Sequence, residues 1–123
     1  MAKETFFQVM APVSDMEKAK TFYAEKLGFE VTADIGKGNF HWVTLTLPGG
    51  GPKLILTTAQ GDIKPGWMTF HISTANVEEL SQELKTKGIE IDEIRNDLFG
   101  PGSGVKWFTV SDPDENKLII AQL

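Results

Sequence analysis

Two stretches of this chain are near copies of each other: FHWVTL at residues 40 to 45 and VKWFTV at 105 to 110, with Trp42 matched to Trp107 and Thr44 to Thr109. Further echoes run in the same order. SDMEKAKTFYAEKLGFEV (14 to 31) pairs with TANVEELSQELKTKGIEI (74 to 91), and KLIL (53 to 56) with KLII (117 to 120). Collinear echoes are the signature of a tandem duplication. No other feature constrains the fold as much, because one supersecondary unit must be used twice.

The two halves read alike. TFFQVMAPV in the first and GWMTFHIST in the second alternate as strands do, and Asp15 or Asn76 then stands where a helix N-cap belongs. Met16, Ala19, Phe22, Tyr23 and Leu27, like Val77, Leu80 and Leu84, recur at helical spacing, and Gly28 or Gly88 ends each helix. Three strand patterns follow each helix. Each half is therefore expected to fold as β-α-β-β-β, module 1 over residues 4–60 and module 2 over 65–123 of a single domain. The connections PGGGP (48 to 52) and DIKPG (62 to 66) are too short to link independent domains. NDLFGPGSG (96 to 104) is the one long irregular piece, with glycines that would permit a mobile lid. At roughly 60 residues neither half buries enough apolar surface alone, so the two sheets are expected to share one core about an approximate twofold axis.

The chain has no cysteine, no apolar run of membrane-spanning length and no signal-peptide pattern in MAKETFFQVMAPVSD, which points to a cytoplasmic protein without disulfides or a membrane partner. A net charge of −5 argues against nucleic acid, whose binding rests on a basic face. Neutral or cationic small molecules, or another protein, remain as partners.

The paired modules, the SDxxxAxxFYxxxLGF run at 14 to 29 and DPDxN at 112 to 116 resemble the vicinal oxygen chelate superfamily. Its members include glyoxalase I, extradiol dioxygenases, fosfomycin-resistance enzymes and the bleomycin-resistance proteins. The resemblance implies an α+β fold, two tandem βαβββ modules forming a curved mixed sheet with helices on the convex side and a central cavity. It also implies a homodimer. Glu115 departs from the pattern, since relatives often place Gly there.

Given that fold, period-two alternation sorts the strand residues between helix side and cavity. Leu54 and Leu56 would face the helix, and Ile55 and Ile119 the cavity. Phe7, Val9, Met68, Phe70 and Ile72 read as core, which leaves Gln8, Met10, Trp67, Thr69 and His71 on the inner face. Metal-using relatives hold their ligands at four such positions, which here are Gln8, Ile55, Thr69 and Ile119. Two of these have no lone pair, and an amide with a hydroxyl cannot balance a dication in an apolar pocket. No metal and no other cofactor is expected. Gln8 is open to two readings, a ligand contact or a cavity amide that bonds backbone or water.

His41 and His71 show no HxxxH or HxH spacing and no Asp, Ser or Cys partner by motif. His71 shares the face of Thr69 and could bond a ligand, or act as a base beside a carboxylate; the other reading is a satisfied or partly exposed imidazole. His41, matched by Lys106 in the repeat, reads as solvated.

If Val43, Leu45, Phe108 and Val110 pack against the helices, then Trp42, Thr44, Trp107 and Thr109 line the cavity. Flat apolar walls fringed with hydroxyls suit a planar organic ligand, and cation–π attraction would add to it if the ligand is basic. Glu30, Asp34, Glu90 and Asp92 fall by the same parity on or near the concave rim, either favouring a cation or simply solvated; the tryptophans could equally be core filling. The expected function is metal-free sequestration of a small aromatic or cationic molecule, as in the bleomycin-resistance proteins. Its contacts would come from Gln8, Trp42, Thr44, Ile55, Trp67, Thr69, His71, Trp107, Thr109 and Ile119, with no catalytic residue. The alternatives are a glyoxalase I-like lyase or isomerase that uses His71 and Gln8, and a dimeric accessory domain with a vestigial cavity.

Overall fold

The computed structural model describes residues 4–59 and 61–123. Gln60, the last residue of the expected first module, and the first three residues of the N-terminal stretch lie outside it. The chain falls into two compact units that divide between Gly66 and Trp67. Among the described residues, no helix is long and apolar enough to cross a membrane.

The first unit runs β1 (Gln8–Pro12), α1 (Met16–Lys20), β2 (Glu30–Ile35), β3 (Trp42–Thr46) and β4 (Lys53–Thr57). Its sheet has the order β1-β4-β3-β2, with β1 parallel to β4 and the other pairs antiparallel. Asp15 caps α1, its Oδ1 accepting from the Lys18 N–H at 3.2 Å. The helix then widens into a π-helical stretch, Thr21–Lys26, in which the Leu27 N–H donates to the Phe22 carbonyl at 3.1 Å. The wider turn carries both Phe22 and its neighbour Tyr23 into the core. Tyr23 meets Phe22 and Phe29 edge-on, with ring centroids 5.2 and 5.6 Å apart. Gly28 ends this helix at φ 85°, a left-handed value that suits glycine.

The second unit runs β5 (Thr69–Thr74), α2 (Val77–Thr86), β6 (Trp107–Ser111) and β7 (Lys117–Gln122), with sheet order β5-β7-β6. Asn76 caps α2 by accepting from the Glu79 N–H at 3.0 Å, and the Gln122 side chain accepts from the Val77 N–H at 3.0 Å. The strand expected directly after α2 does not form as a ladder. Residues 89 to 95 bridge to β6 at Ile91 with Val110 and at Arg95 with Trp107, and between these the Asp92 N–H reaches the Thr109 carbonyl at 3.4 Å. The cause is Asp92. The Thr109 N–H, which a regular ladder would pair with a main-chain carbonyl, donates to Asp92 Oδ1 at 2.6 Å. Aspartate competes with the backbone in this way, and strands are depleted in it for that reason. Its equivalent in the repeat is Thr32, where β2 keeps its ladder and only shifts register between Val31 and Ala33.

Alternation along the inner strands is as expected. Val43, Leu45 and Leu56 in the first unit, and Phe108, Leu118 and Ile120 in the second, are fully buried, while Trp42, Thr44, Ile55, Trp107, Thr109 and Ile119 are half-buried. Phe7, expected in the core, is instead 59% exposed. It precedes β1, and its carbonyl accepts from the Lys53 N–H at 2.8 Å. Val9, Met68, Phe70 and Ile72 are half-buried.

The DPDEN turn builds a buried polar knot. Asp112 Oδ1 accepts from the Asp114 and Asn116 N–H groups at 2.9 and 2.8 Å, and Oδ2 from Asn116 Nδ2 at 2.7 Å. Asn116 Oδ1 in turn accepts from the Met68 N–H at 2.8 Å, which ties the turn to the approach to β5. Glu115 pays for the missing glycine with a φ of 68°, the one left-handed non-glycine among the described residues.

Candidate binding faces and their relatives

In the first unit, α1 packs on the face of the sheet that buries Val43, Leu45 and Leu56. Cross-strand register fixes what the other face presents, because directly paired residues share a side. Met10, Ile55, Thr44 and Ala33 form one row across β1, β4, β3 and β2. Thr57, Trp42 and Ile35 form the next. Met10 and Ile35 are 50% and 66% exposed, so the half-buried indole of Trp42 lies in an open and mostly apolar surface. Gln8, exposed, lies on the same side beside Lys53.

The second unit presents the equivalent rows, His71 with Ile119 and Thr109, and Ser73 with Ala121 and Trp107. Thr69 is exposed beside Lys117. His71 is exposed, and among the described residues no carboxylate is bonded to its ring to make it a base. Trp67 is exposed and precedes β5.

Around Trp107 the surroundings differ from the expectation of a free aromatic wall. Arg95 and Trp107 exchange two main-chain hydrogen bonds of 2.9 Å, which puts their side chains on one side. The Arg95 guanidinium carbon lies 3.8 Å from the indole centroid, a cation–π stack. The indole Nε1–H donates to Asp97 Oδ1 at 3.0 Å. Asp92 Oδ2 accepts from Thr109 Oγ1 and from Arg95 Nη2, both at 2.9 Å. The Thr109 hydroxyl, expected to fringe the pocket, is thus already committed. Arg95 and Asp97 went unnoticed in the sequence; the trace they leave there is the equivalence of Arg95 with Ile35, each paired with its module's tryptophan.

Asp34 and His41 are also placed differently from the expectation. The register shift in β2 changes the parity beyond it, so Asp34 pairs with buried Val43 and turns to the helix side instead of the rim. There Asp34 Oδ2 accepts from Lys20 Nζ of α1 at 2.7 Å, and Oδ1 is bonded to Nε2 of His41. His41, read as solvated, is 15% exposed. The lysine, then the histidine, hold the Asp34 carboxyl below its usual range, and Asp34 raises Lys20. Beside this trio a cleft of about 410 Å³ opens between Val13, Asp15, Glu17, Asn39, His41 and Thr58. Its lining comes from three separate segments, so no motif could have announced it. Glu30 and Glu90 are exposed.

The family profile described as Glyoxalase/Bleomycin resistance protein/Dioxygenase superfamily matches residues 5–120. The chain belongs to this superfamily. Among curated proteins, YwkD of Bacillus subtilis (strain 168) is 31% identical over 110 residues, covering 83% of this chain and 84% of YwkD. Among solved structures, TnmS3, an antibiotic binding protein from Streptomyces sp. CB03234, superposes with a TM-score of 0.82 at 30% identity, covering 99% of this chain and 98% of that one. A glyoxalase/bleomycin resistance protein from the same organism gives 0.79 at 28% identity, covering 96% and 100%.

At the four positions where the resemblance places the metal ligands of the superfamily, Gln8 and Ile55 share the open face of the first unit, and Thr69 and Ile119 that of the second. This donor set does not fit a divalent ion, since it offers one amide and one hydroxyl and no anionic or imidazole ligand. On the same strand faces stand Lys53 and Lys117, whose ammonium groups would repel a cation. Among the described residues there is no group of three or more His, Cys, Asp or Glu able to hold a metal ion.

Proposed function

We propose that this protein binds a small planar organic molecule without metal and withholds it from solution, as bleomycin-resistance-like members of the superfamily do, and that it does so in the cytoplasm as a homodimer. The observation that carries the reading is the open face of the first sheet. A monomeric protein gains nothing from displaying Trp42, Ile35, Ile55 and Met10 together, and such a surface is what a flat apolar ligand needs. The likeness to TnmS3, described as an antibiotic binding protein, supports it. The ligand-contact residues on this reading are Gln8, Trp42, Thr44 and Ile55 of the first unit and Thr69, His71, Trp107 and Ile119 of the second, with Trp67 and Thr109 at the margin.

Intrinsic tryptophan fluorescence, titrated with bleomycin and a panel of planar aromatic compounds in the presence of EDTA, tests this. Binding should persist with the chelator present, and Trp42→Ala or Trp107→Ala should weaken it by about 1–3 kcal/mol, the scale of one lost aromatic contact. Tight binding indifferent to both substitutions would remove the faces from consideration.

A further inference from the structure

We infer that Arg95 sets the ligand chemistry of the second unit's face, making it select planar aromatic molecules that carry an oxygen acceptor and reject cationic ones. This rests on the binding reading above and sharpens it. A bare indole attracts cations, but the face of Trp107 already carries one, the Arg95 guanidinium at 3.8 Å. Of the neighbouring carboxylates, Asp97 gives Oδ1 to the indole N–H, and both oxygens of Asp92 are taken, one by the Thr109 N–H and the other by the Thr109 hydroxyl and Arg95 Nη2.

What the cluster has in surplus is donors. A guanidinium offers five N–H groups, and Arg95 uses one of them, from Nη2 to Asp92. Its Nε is buried with no hydrogen-bond partner among the described residues, which leaves the Nη edge as the part of the fork that a ligand can reach. The side chain is 39% exposed, so its outer edge remains open to solvent. Stacking on the indole and the tie to Asp92 fix the plane of the fork, which lowers the entropy lost when a carbonyl or carboxylate oxygen docks at that edge. A planar ligand then lies along the stack with its oxygen at the guanidinium. The first unit has no such group, because the equivalent of Arg95 there is Ile35, paired with Trp42.

Calorimetric titration of the full chain with 2-naphthoate and 2-naphthylmethylammonium, which share a ring and differ in charge and acceptor, tests the assignment. The parent should bind the naphthoate at least tenfold more tightly. Arg95→Ala should cost the naphthoate about tenfold and let the ammonium gain severalfold at the uncovered indole. Arg95→Gln, planar and neutral, should do the same with less disturbance of the fold, so a misfolded alanine variant would not rescue the idea. If the parent prefers the ammonium, or if neither substitution moves the preference, Arg95 does not set selectivity while the binding reading stands. If the parent binds neither probe nor bleomycin, the binding reading itself fails and this inference goes with it.

Discussion

Glu115 shows how a single residue records a compromise. An L-residue in the left-handed region costs about 1–2 kcal/mol, and glycine there would cost about 0.5–1 kcal/mol in unfolded-chain entropy. Glu115 keeps its φ of 68° because the turn around it is over-determined by the bonds among Asp112, Asp114 and Asn116. Glu115→Gly is therefore expected to raise the melting temperature by a few degrees, on the order of 0.5–1 kcal/mol, whereas Glu115→Ala keeps the strain and should gain nothing. Equal melting points for the two variants would mean that the turn stores no strain. At this scale the sequence was legible where a residue's role depends on its immediate neighbours, as with the caps Asp15 and Asn76. It was silent where partners come from afar. His41 and Asp34 are separated along the chain by no recognisable motif and meet only because β2 and β3 are adjacent.

At the scale of elements, the α1 to β2 contact is an electrostatic one, with Lys20 and His41 on either side of Asp34. The folded-state pKa of Asp34 is lowered, first by Lys20 and then by His41. Its contribution is thus fully present above the unfolded value near 3.8 and is lost as pH falls through the lower folded value. Lys20 works in the opposite sense, its contribution fading as pH rises past 10.5. Since Asp34 is 37% exposed, screening keeps the effect below about 1 kcal/mol. Urea unfolding of Asp34→Asn and the parent should differ at pH 6, and the difference should shrink as the pH falls below 3.8. A difference that does not shrink on acidification would show that packing, and not charge, is what the substitution disturbs. Strand parity was readable for β3 and for Leu54, Ile55 and Leu56 of β4. It misled at β2, where a register shift reverses which side Asp34 takes, and at residues 89 to 95 it was the expected strand that failed, where a carboxylate stands in for a ladder.

For the whole molecule, the duplication foretold the α+β class and the repeat of one unit, and divergence between the copies supplied what the repeat could not. The two tryptophans occupy equivalent sites, yet one sits against an exposed isoleucine and the other under a guanidinium. The described residues also leave several large apolar side chains outside any core, including Phe6 at 78%, Phe40 at 73% and Phe99 at 70% exposed. A homodimer would give such surface a partner. Light scattering should then report twice the chain mass of 13.6 kDa, and a protein that remains at 13.6 kDa at high concentration would refute the proposed assembly.

The irregularity that the two modules share, at Thr32 in one and Asp92 in the other, bears on a hazard that every open sheet faces. A long flat outer strand is a template on which a foreign chain can add itself, the first step towards amyloid. β2, outermost in its own sheet, is kinked out of register at that position, and the corresponding stretch of the second module is interrupted by a carboxylate and flanked by Glu93 and Arg95. Each copy of the duplicated unit has thus kept its outermost stretch a poor template for recruiting others, by a different chemical means.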